Sequence, residues 1–332
     1  MPIQPTGTGR VQTQTKTVLI NYRDQMNVKI IMYHYVRKIR DSQYPGIKGL
    51  EIEGFRRQLD FFKCNFNVIN AEDVIKYVKY GTHLPENSCL LTFDDGYKDH
   101  LTYVLPELLS RGLQGSFFPP VKPVMERELL DVNRIHYILA STEHKSKLVN
   151  HVENLCVEHG ISALELSSLK SKYAIPSRYD SSEVNYIKKL LQHALPEGIR
   201  KSISSELFRV YVNRTETEFA DNLYLTFDDV KTLIKSGMYI GSHGYRHVWL
   251  DKETIESQTL EIENSLKFLG DVGATTVDWI MCYPFGGYNV HTLDILTRYN
   301  CIAGITTKVG LARLSRERSL ELPRFNTNDY QQ

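Results

Sequence analysis

The adjacent carboxylates Asp94 and Asp95 are the residues of this sequence that most clearly suggest chemistry. They follow the apolar run at 89–93, which is typical of a buried strand, and Gly96 comes directly after them. Two ionised carboxylates at the mouth of a core strand repel each other and lose hydration, so a cation or a shared proton must compensate them. An ordinary Asp-Gly turn, with one aspartate capping the next helix, would explain the same residues.

Two histidines, His243 and His247, follow the apolar segment at 238–241, which predicts another strand. Histidines four residues apart, directly after a strand, can converge on one metal ion whether the loop is coiled or begins a helix. This spacing alone is a weak signal. Combined with a carboxylate such as Asp95, it supplies a His, His, Asp set that suits zinc and leaves a coordination position for water.

A second copy of the aspartate motif occurs at 224–230, and we interpret it as structural. Its aspartates, Asp228 and Asp229, lead into apolar residues at helical spacing instead of a glycine. Thr226 is therefore the predicted N-cap of a helix, and the two carboxylates occupy the first turn, where they stabilise the positive end of the helix dipole.

The elements around these motifs alternate between strands and helices, which predicts a parallel sheet or barrel covered by helices. In such folds the functional residues gather at the carboxyl ends of the strands. The segment 121–221 differs, because it has few strand signals and several amphipathic helical patterns, and it predicts a helical insertion. Within it, His151, Cys156 and His159 superficially resemble metal ligands. We interpret them as a solvated helix face, since no fourth ligand accompanies them.

The composition excludes several classes of function. Among 332 residues, 40 are Lys or Arg and 39 are Asp or Glu, so neither a nucleic-acid groove nor an anionic membrane surface is expected. The five scattered cysteines favour a reducing compartment over a disulfide framework. Neither a transmembrane segment nor a secretion signal is predicted, and we expect a cytoplasmic protein. Residues 1–25 are expected to form a disordered or loosely attached lead-in to a domain at 26–330.

Three motifs occur in order, each at the end of a predicted strand: Thr92-Phe93-Asp94-Asp95-Gly96, His243-x-x-x-His247 and Tyr283-Pro284-Phe285-Gly286. Together they resemble the polysaccharide deacetylase family, that is, the NodB-homology domain or carbohydrate esterase family 4. The resemblance extends from about residue 28 to 326, apart from the insertion. It implies a distorted (β/α) barrel of seven parallel strands, and metal-dependent removal of N-acetyl groups from amino sugars.

Carried over residue by residue, the resemblance implies that Asp94 is the general base. Asp95, His243 and His247 would bind a divalent metal ion, for which we prefer zinc. The backbone N–H of Phe285, where the family usually has tyrosine, would help to form the oxyanion hole.

The sequence also departs from the family pattern. Cys282 stands in place of the arginine that normally orients the catalytic aspartate, so we expect Arg324 to take that task, as in branches with a Leu-Pro-Arg segment. Gly244 replaces a hydroxyl residue and removes a loop hydrogen bond. The Leu-x-His that often carries the general acid is missing near the C-terminus. Some branches place this histidine on an N-terminal strand, which makes His34 the expected acid.

The expected substrate is an acetylated amino sugar, with Tyr97, Tyr283 and Pro284 as its expected contacts. A cytoplasmic location favours a glycan precursor of surface polysaccharide biosynthesis, which could be nucleotide-linked, lipid-linked or a short oligosaccharide. The helical insertion is a candidate roof over the site. Two alternatives stay open: a deformylase or other small-amide hydrolase of the same fold, and a glycan-binding module without catalysis, which the changes at Cys282 and Gly244 would suit.

Overall fold

The computed structural model describes residues 26–315 and 319–330, so the lead-in expected at 1–25 lies outside it. The strands of the described residues are β1 Met26–Tyr33, β2 Asn67–Val68, β3 Ser88–Asp94, β4 Ser116–Phe118, β5 Tyr239–Ile240, β6 Trp279–Cys282, β7 Cys301–Val309, β8 Ala312–Leu314 and β9 Ser319–Asn326. The helices are α1 Ile52–Asn65, α2 Ala71–Tyr80, α3 Leu105–Arg111, α4 Val121–Glu126, α5 Asp131–Ala140, α6 Lys145–Glu158, α7 Ala163–Tyr173, α8 Ser182–Lys189, α9 Glu197–Tyr211, α10 Glu216–Leu223, α11 Phe227–Lys235, α12 Ile255–Val272 and α13 Val290–Arg298.

The predicted parallel barrel is confirmed. Its strands follow the order β5-β4-β3-β1-β9-β7-β6, and every neighbouring pair is parallel. The two ends of the sheet meet beyond β5, where the Ser242 N–H donates to the Ile280 carbonyl at 3.1 Å and the Cys282 N–H donates to the Ser242 carbonyl at 2.8 Å. All seven carboxyl ends therefore open on one side of the barrel.

Strand β3 lies in the middle of this barrel, and each of its residues is buried. Parallel strands covered on both faces need apolar side chains throughout, which explains the uninterrupted run before Asp94. The backbone then turns through two left-handed positions, Asp95 with φ of 70° and Gly96 with φ of 61°. A Cβ on Gly96 would lie 2.7 Å from the Pro119 Cβ, so only glycine fits this turn.

Residues 121–223, which we call the helical region, follow β4 and contain helices α4 to α10. The amphipathic patterns of the sequence, at about 128–139, 147–158 and 184–195, predict helices that correspond to α5, α6 and α8, whereas α4, α7, α9 and α10 were not predicted. The region has its own apolar core, which continues to the barrel through Tyr35, Tyr97 and Tyr224. The helical region is therefore packed directly behind the loop that follows β3.

The second copy of the aspartate motif has the structure that the sequence predicts. Thr226 caps α11 by accepting the Asp229 N–H at 3.1 Å, and the Asp229 side chain accepts the Thr226 N–H at 2.9 Å. In the helical region, His151 lies 3.2 Å from the Tyr211 hydroxyl. Cys156 corrects one expectation, because it is buried in the helical core instead of lying on a solvated face.

Candidate functional site

The three side chains expected to bind a metal converge at the carboxyl end of the barrel. Asp95 Oδ1 lies 3.4 Å from His243 Nε2 and 3.3 Å from His247 Nε2, and all three residues are buried. In a tetrahedral zinc site with bonds of about 2.0 to 2.1 Å, neighbouring ligand atoms are about 3.3 to 3.4 Å apart. Asp95 Oδ1 is a buried acceptor without a hydrogen bond from the described residues. Such an atom is costly unless a cation or donor meets it, so the donor set fits a divalent ion.

The orientation of His243 is fixed by a backbone carbonyl. Its Nδ1–H donates to the Cys282 oxygen at 2.7 Å, which directs Nε2 toward Asp95. His247 has φ of 60°, and its ring packs against the Phe285 ring at a centroid distance of 4.6 Å. Both histidines therefore present a ring nitrogen to the same point from a coiled loop.

The loop that carries both histidines, residues 242–249, is hydrogen-bonded to Glu261 of α12, whose side chain is buried. Its Oε2 accepts the backbone N–H groups of Tyr245 at 2.8 Å and Arg246 at 2.9 Å. Gly244 has φ of 72°, a left-handed position that favours glycine. Two N–H groups of the loop are thus bonded to Glu261, and the glycine at 244 adopts the left-handed conformation without strain.

Asp94, the expected base, is paired with the expected arginine. Arg324 Nη1 lies 3.0 Å from Oδ1 and 2.9 Å from Oδ2 of this carboxylate, and the Cys282 thiol donates to Oδ1 at 3.4 Å. Burial is the largest single effect on Asp94 and raises its pKa, but the positive charges of Arg324, His243 and His34 together outweigh burial and leave this pKa below its ordinary value. Asp94 is therefore ionised at neutral pH and able to accept a proton.

His34, the expected acid, lies on the open side of the same carboxylate. Its Nε2 is 3.8 Å from Asp94 Oδ2, and 40% of its side chain is exposed. The His34 backbone oxygen accepts a hydrogen bond from His100 Nε2 at 3.1 Å, which fixes the end of this segment. A ligand entering the site would meet both Asp94 and His34.

A cleft of about 430 Å³ extends from the histidine loop between the barrel and the helical region. Its walls include Leu130, His193 and Arg200 on the helical side, and His247, Trp249 and Phe285 on the barrel side. The rings of Trp249 and Phe285 are stacked at 4.7 Å with an interplanar angle of 3°. This volume is large enough for a sugar-sized ligand next to His247, the one expected metal ligand in the lining of the cleft.

The residues expected to contact the sugar are placed differently. Tyr97 is fully buried, and its hydroxyl donates to Asp95 Oδ2 at 2.6 Å. Tyr283 is also fully buried, with its hydroxyl on the Leu320 carbonyl at 2.8 Å, and Pro284 is buried. Their polar groups are satisfied within the protein, so these side chains support the site and do not face a ligand.

The family comparison bears directly on these motifs. Residues 211–303 match the family described as polysaccharide deacetylase, and this segment contains the histidine loop and the motif after β6. The resemblance to the polysaccharide deacetylase family is confirmed. The chain matches no curated protein at a significant level.

Solved structures of deacetylases share the fold of this chain. The Streptococcus pyogenes deacetylase PplD, solved with acetate, is 18% identical with a TM-score of 0.55, over 91% of this chain and 92% of that one. The BpsB deacetylase domain of Bordetella bronchiseptica is 14% identical with a TM-score of 0.51, and the match covers 91% of this chain and 95% of that one. The polysaccharide deacetylase BC0361 of Bacillus cereus is 14% identical with a TM-score of 0.52, and the match covers 91% of this chain and 65% of that one.

Among residues 26–315 and 319–330, no helix has both the length and the apolar character that crossing a bilayer requires.

Proposed function

We propose that this protein is a metal-dependent N-deacetylase that releases acetate from an acetylated amino sugar of a glycan or glycan precursor. The observation that carries the proposal is the convergence of Asp95, His243 and His247 beside the ionised carboxylate of Asp94. The family match and the shared fold support a hydrolase of this type.

Asp95, His243 and His247 would hold a divalent cation, with zinc preferred because two imidazoles and one carboxylate suit its ligand chemistry. When bound, such an ion polarises a substrate carbonyl and lowers the pKa of a water molecule. Asp94 would accept the proton of the attacking water, since Arg324 keeps its carboxylate charged at neutral pH.

The other groups act on the acyl group and the amine. The Phe285 N–H would donate to the oxyanion that develops on the carbonyl oxygen, an interaction whose loss can cost about 3 kcal/mol. Phe285 is held in a left-handed conformation with φ of 57°, which fixes the direction of this N–H. His34 would donate a proton to the leaving nitrogen, because an amide nitrogen cannot depart as an anion.

The sugar would occupy the cleft beside His247. The stacked pair of Trp249 and Phe285 forms an apolar wall on which the face of a pyranose ring can pack. A precursor of surface polysaccharide, carried on a nucleotide, a lipid or a short oligosaccharide, is the substrate that we propose.

The two alternatives are separable. A hydrolase of formyl or cyclic amides would share Asp94 and the metal ligands but would not need a cleft of about 430 Å³. A glycan-binding module would have no use for an acid and a base side by side. Cys282 stands where the family has an arginine beside the catalytic aspartate, and Arg324 provides a guanidinium at Asp94 instead. The change at Cys282 therefore does not favour a binding module without catalysis.

The test is acetate release from a panel of purified substrates by the zinc-loaded protein. The panel contains an N-acetylglucosamine oligomer, a nucleotide-linked N-acetyl amino sugar, an N-formyl analogue and a cyclic amide. We expect turnover of an N-acetyl sugar, and a loss of about 10²- to 10⁴-fold in kcat for Asp94→Asn with zinc content retained. Sugar binding with no acetate release would support the binding module, and turnover of only formyl or cyclic amides would support the other hydrolase.

A further inference from the structure

A chain of hydrogen bonds connects the helical region with the metal ligand Asp95. Asn133 lies on α5, is fully buried, and donates from Nδ2 to the Tyr97 hydroxyl at 2.6 Å. The Tyr97 hydroxyl in turn donates to Asp95 Oδ2 at 2.6 Å. Asp95 Oδ2 is therefore anchored, while Oδ1 faces the two histidines.

We propose that Asn133 is a positioning residue that holds Asp95, through Tyr97, in the orientation required for metal binding. This inference rests on the metal site of the proposed function. The helical region would then help to orient a metal ligand as well as form one wall of the cleft.

The direction of each hydrogen bond supports this role. The Leu130 N–H donates to the Tyr224 hydroxyl at 3.1 Å, and that hydroxyl donates to Asn133 Oδ1. With its oxygen used as an acceptor, the Asn133 amide directs its N–H groups toward the barrel. Tyr97 receives one of them, so its own hydroxyl hydrogen is left for Asp95. Every bond in the chain thus points toward the carboxylate, and bonds that point the same way strengthen one another.

Burial closes these groups off from water. Asn133, Tyr97 and Tyr224 are each fully buried, and the Tyr97 ring is stacked on the Tyr35 ring at 4.1 Å. Burial raises the pKa of Tyr97 well above its ordinary value, so the hydroxyl keeps its proton. A polar group that loses its partner here cannot turn to water, which makes the geometry of the chain strict.

The same amide also reaches the other side of the site. Asn133 Nδ2 donates to the Tyr35 hydroxyl at 2.6 Å, and Tyr35 directly follows His34. One side chain of the helical region is therefore bonded both to the support of a metal ligand and to the neighbour of the expected acid.

The experiment compares zinc affinity, measured by competition with a chromophoric chelator, in wild type, Tyr97→Phe, Asn133→Leu and the double variant. Groups that orient metal ligands typically contribute about 10- to 100-fold to affinity, and we expect a loss of this size for each single variant. The double variant should be no weaker than Tyr97→Phe, because Asn133 acts through Tyr97. Tyr186→Phe is the control, since Tyr186 is a fully buried tyrosine of the same region whose hydroxyl contacts Leu166.

The outcomes separate this inference from the proposed function. Wild-type zinc affinity in Tyr97→Phe, together with loss of zinc in His247→Ala, would overturn the positioning role and leave the proposed function standing. Additive losses in the double variant would indicate that Asn133 acts through general packing, which also contradicts the inference. A wild-type protein that binds no divalent ion would overturn the proposed function itself. Should Asn133→Leu fail to fold, Tyr224→Phe takes its place, because it removes only the hydroxyl that donates to Asn133 Oδ1 and orients the amide. Wild-type zinc affinity in Tyr224→Phe would then contradict the role of Asn133.

Discussion

Arg324 Nη1 bridges the two carboxylate oxygens of Asp94, at 3.0 Å from Oδ1 and 2.9 Å from Oδ2. Both side chains are almost completely buried, so water screens this pair very little. The Arg324 Nε–H also donates to the Thr306 carbonyl at 2.8 Å, which fixes the guanidinium against the barrel. A residue from the last strand of the barrel thus supplies the strongest positive charge acting on the carboxylate at the end of β3.

Replacing Arg324 with methionine should move the acidic limb of the activity profile to higher pH. Arg324 is the strongest of the positive charges that lower the pKa of Asp94 against the larger opposing effect of burial, so its removal should raise that pKa. A base works only when deprotonated, and the pH at which activity is half-maximal must therefore rise. The measurement is kcat/KM against pH, with Arg298→Met on α13 as a surface control. An unchanged acidic limb would contradict the assignment of Asp94 as the base.

His247→Ala should lose bound metal. Its Nε2 is one of two imidazole nitrogens within 3.4 Å of Asp95 Oδ1, and two ligands hold a divalent ion far less well than three. We expect a fall in zinc affinity on the order of 100-fold or more, measured by elemental analysis after dialysis against a weak chelator. His193→Ala, in the wall of the cleft, is the matched control and should retain metal. Equal metal content in both variants would exclude the proposed centre.

His34→Gln should slow amide hydrolysis much more than ester hydrolysis. An amine must be protonated as it leaves, whereas the nitrophenolate of an activated acetate ester leaves without help. We expect a loss of about 10²- to 10⁴-fold in kcat on an N-acetyl sugar, with p-nitrophenyl acetate turnover nearly unchanged. Equal losses on both substrates would mean that His34 acts in some way other than as the acid for the leaving group.

Trp249→Ala should weaken substrate binding and leave the chemical step intact. The Trp249 ring lies in the cleft wall, stacked on Phe285 at 4.7 Å, and its loss removes the surface on which a sugar would pack. Aromatic packing of this kind contributes about 0.5 to 1.5 kcal/mol, which corresponds to a rise of roughly 2- to 10-fold in KM. Trp249→Phe should restore most of the binding. A fall in kcat at unchanged KM would place the sugar elsewhere.

His100 should make the fold sensitive to acid. This residue is fully buried, with Nδ1 lacking a partner among the described residues, and burial lowers its pKa from 6.5 to about 4. The unfolded chain therefore binds a proton that the folded protein does not, and stability falls as the pH drops from about 6.5 to about 4. The shift corresponds to about 3 kcal/mol in the free energy of unfolding.

The measurement for His100 is urea denaturation at pH 7 and pH 4, with chelator present so that metal release does not contribute. We expect His100→Phe, a ring that suits its neighbours Phe93 and Phe117, to lose part of this pH dependence. If the free energy of unfolding of His100→Phe fell between pH 7 and pH 4 as much as that of the wild type, His100 would not be a group that takes up a proton on unfolding.

Local features of this protein followed from its sequence. The buried strand β3, the turn at Gly96 and the cap at Thr226 each depend on residues within a few positions of one another, so composition and spacing were sufficient to predict them. The alternation of strands and helices similarly predicted a parallel sheet or barrel, and the resemblance carried by the three motifs implied its seven strands. The roles assigned to Asp94 and His34 stay predictions.

Only the tertiary structure decided which distant side chains meet. The register and closure of the barrel bring Asp95 to His243 and His247, and they bring Arg324 to Asp94 across the sheet. No local pattern encodes such distances, because they depend on how every intervening element packs. The contact of Asn133 with Tyr97 gave no sequence signal for the same reason, since one asparagine on a helix becomes meaningful only when the fold buries it against the tyrosine that bonds to Asp95.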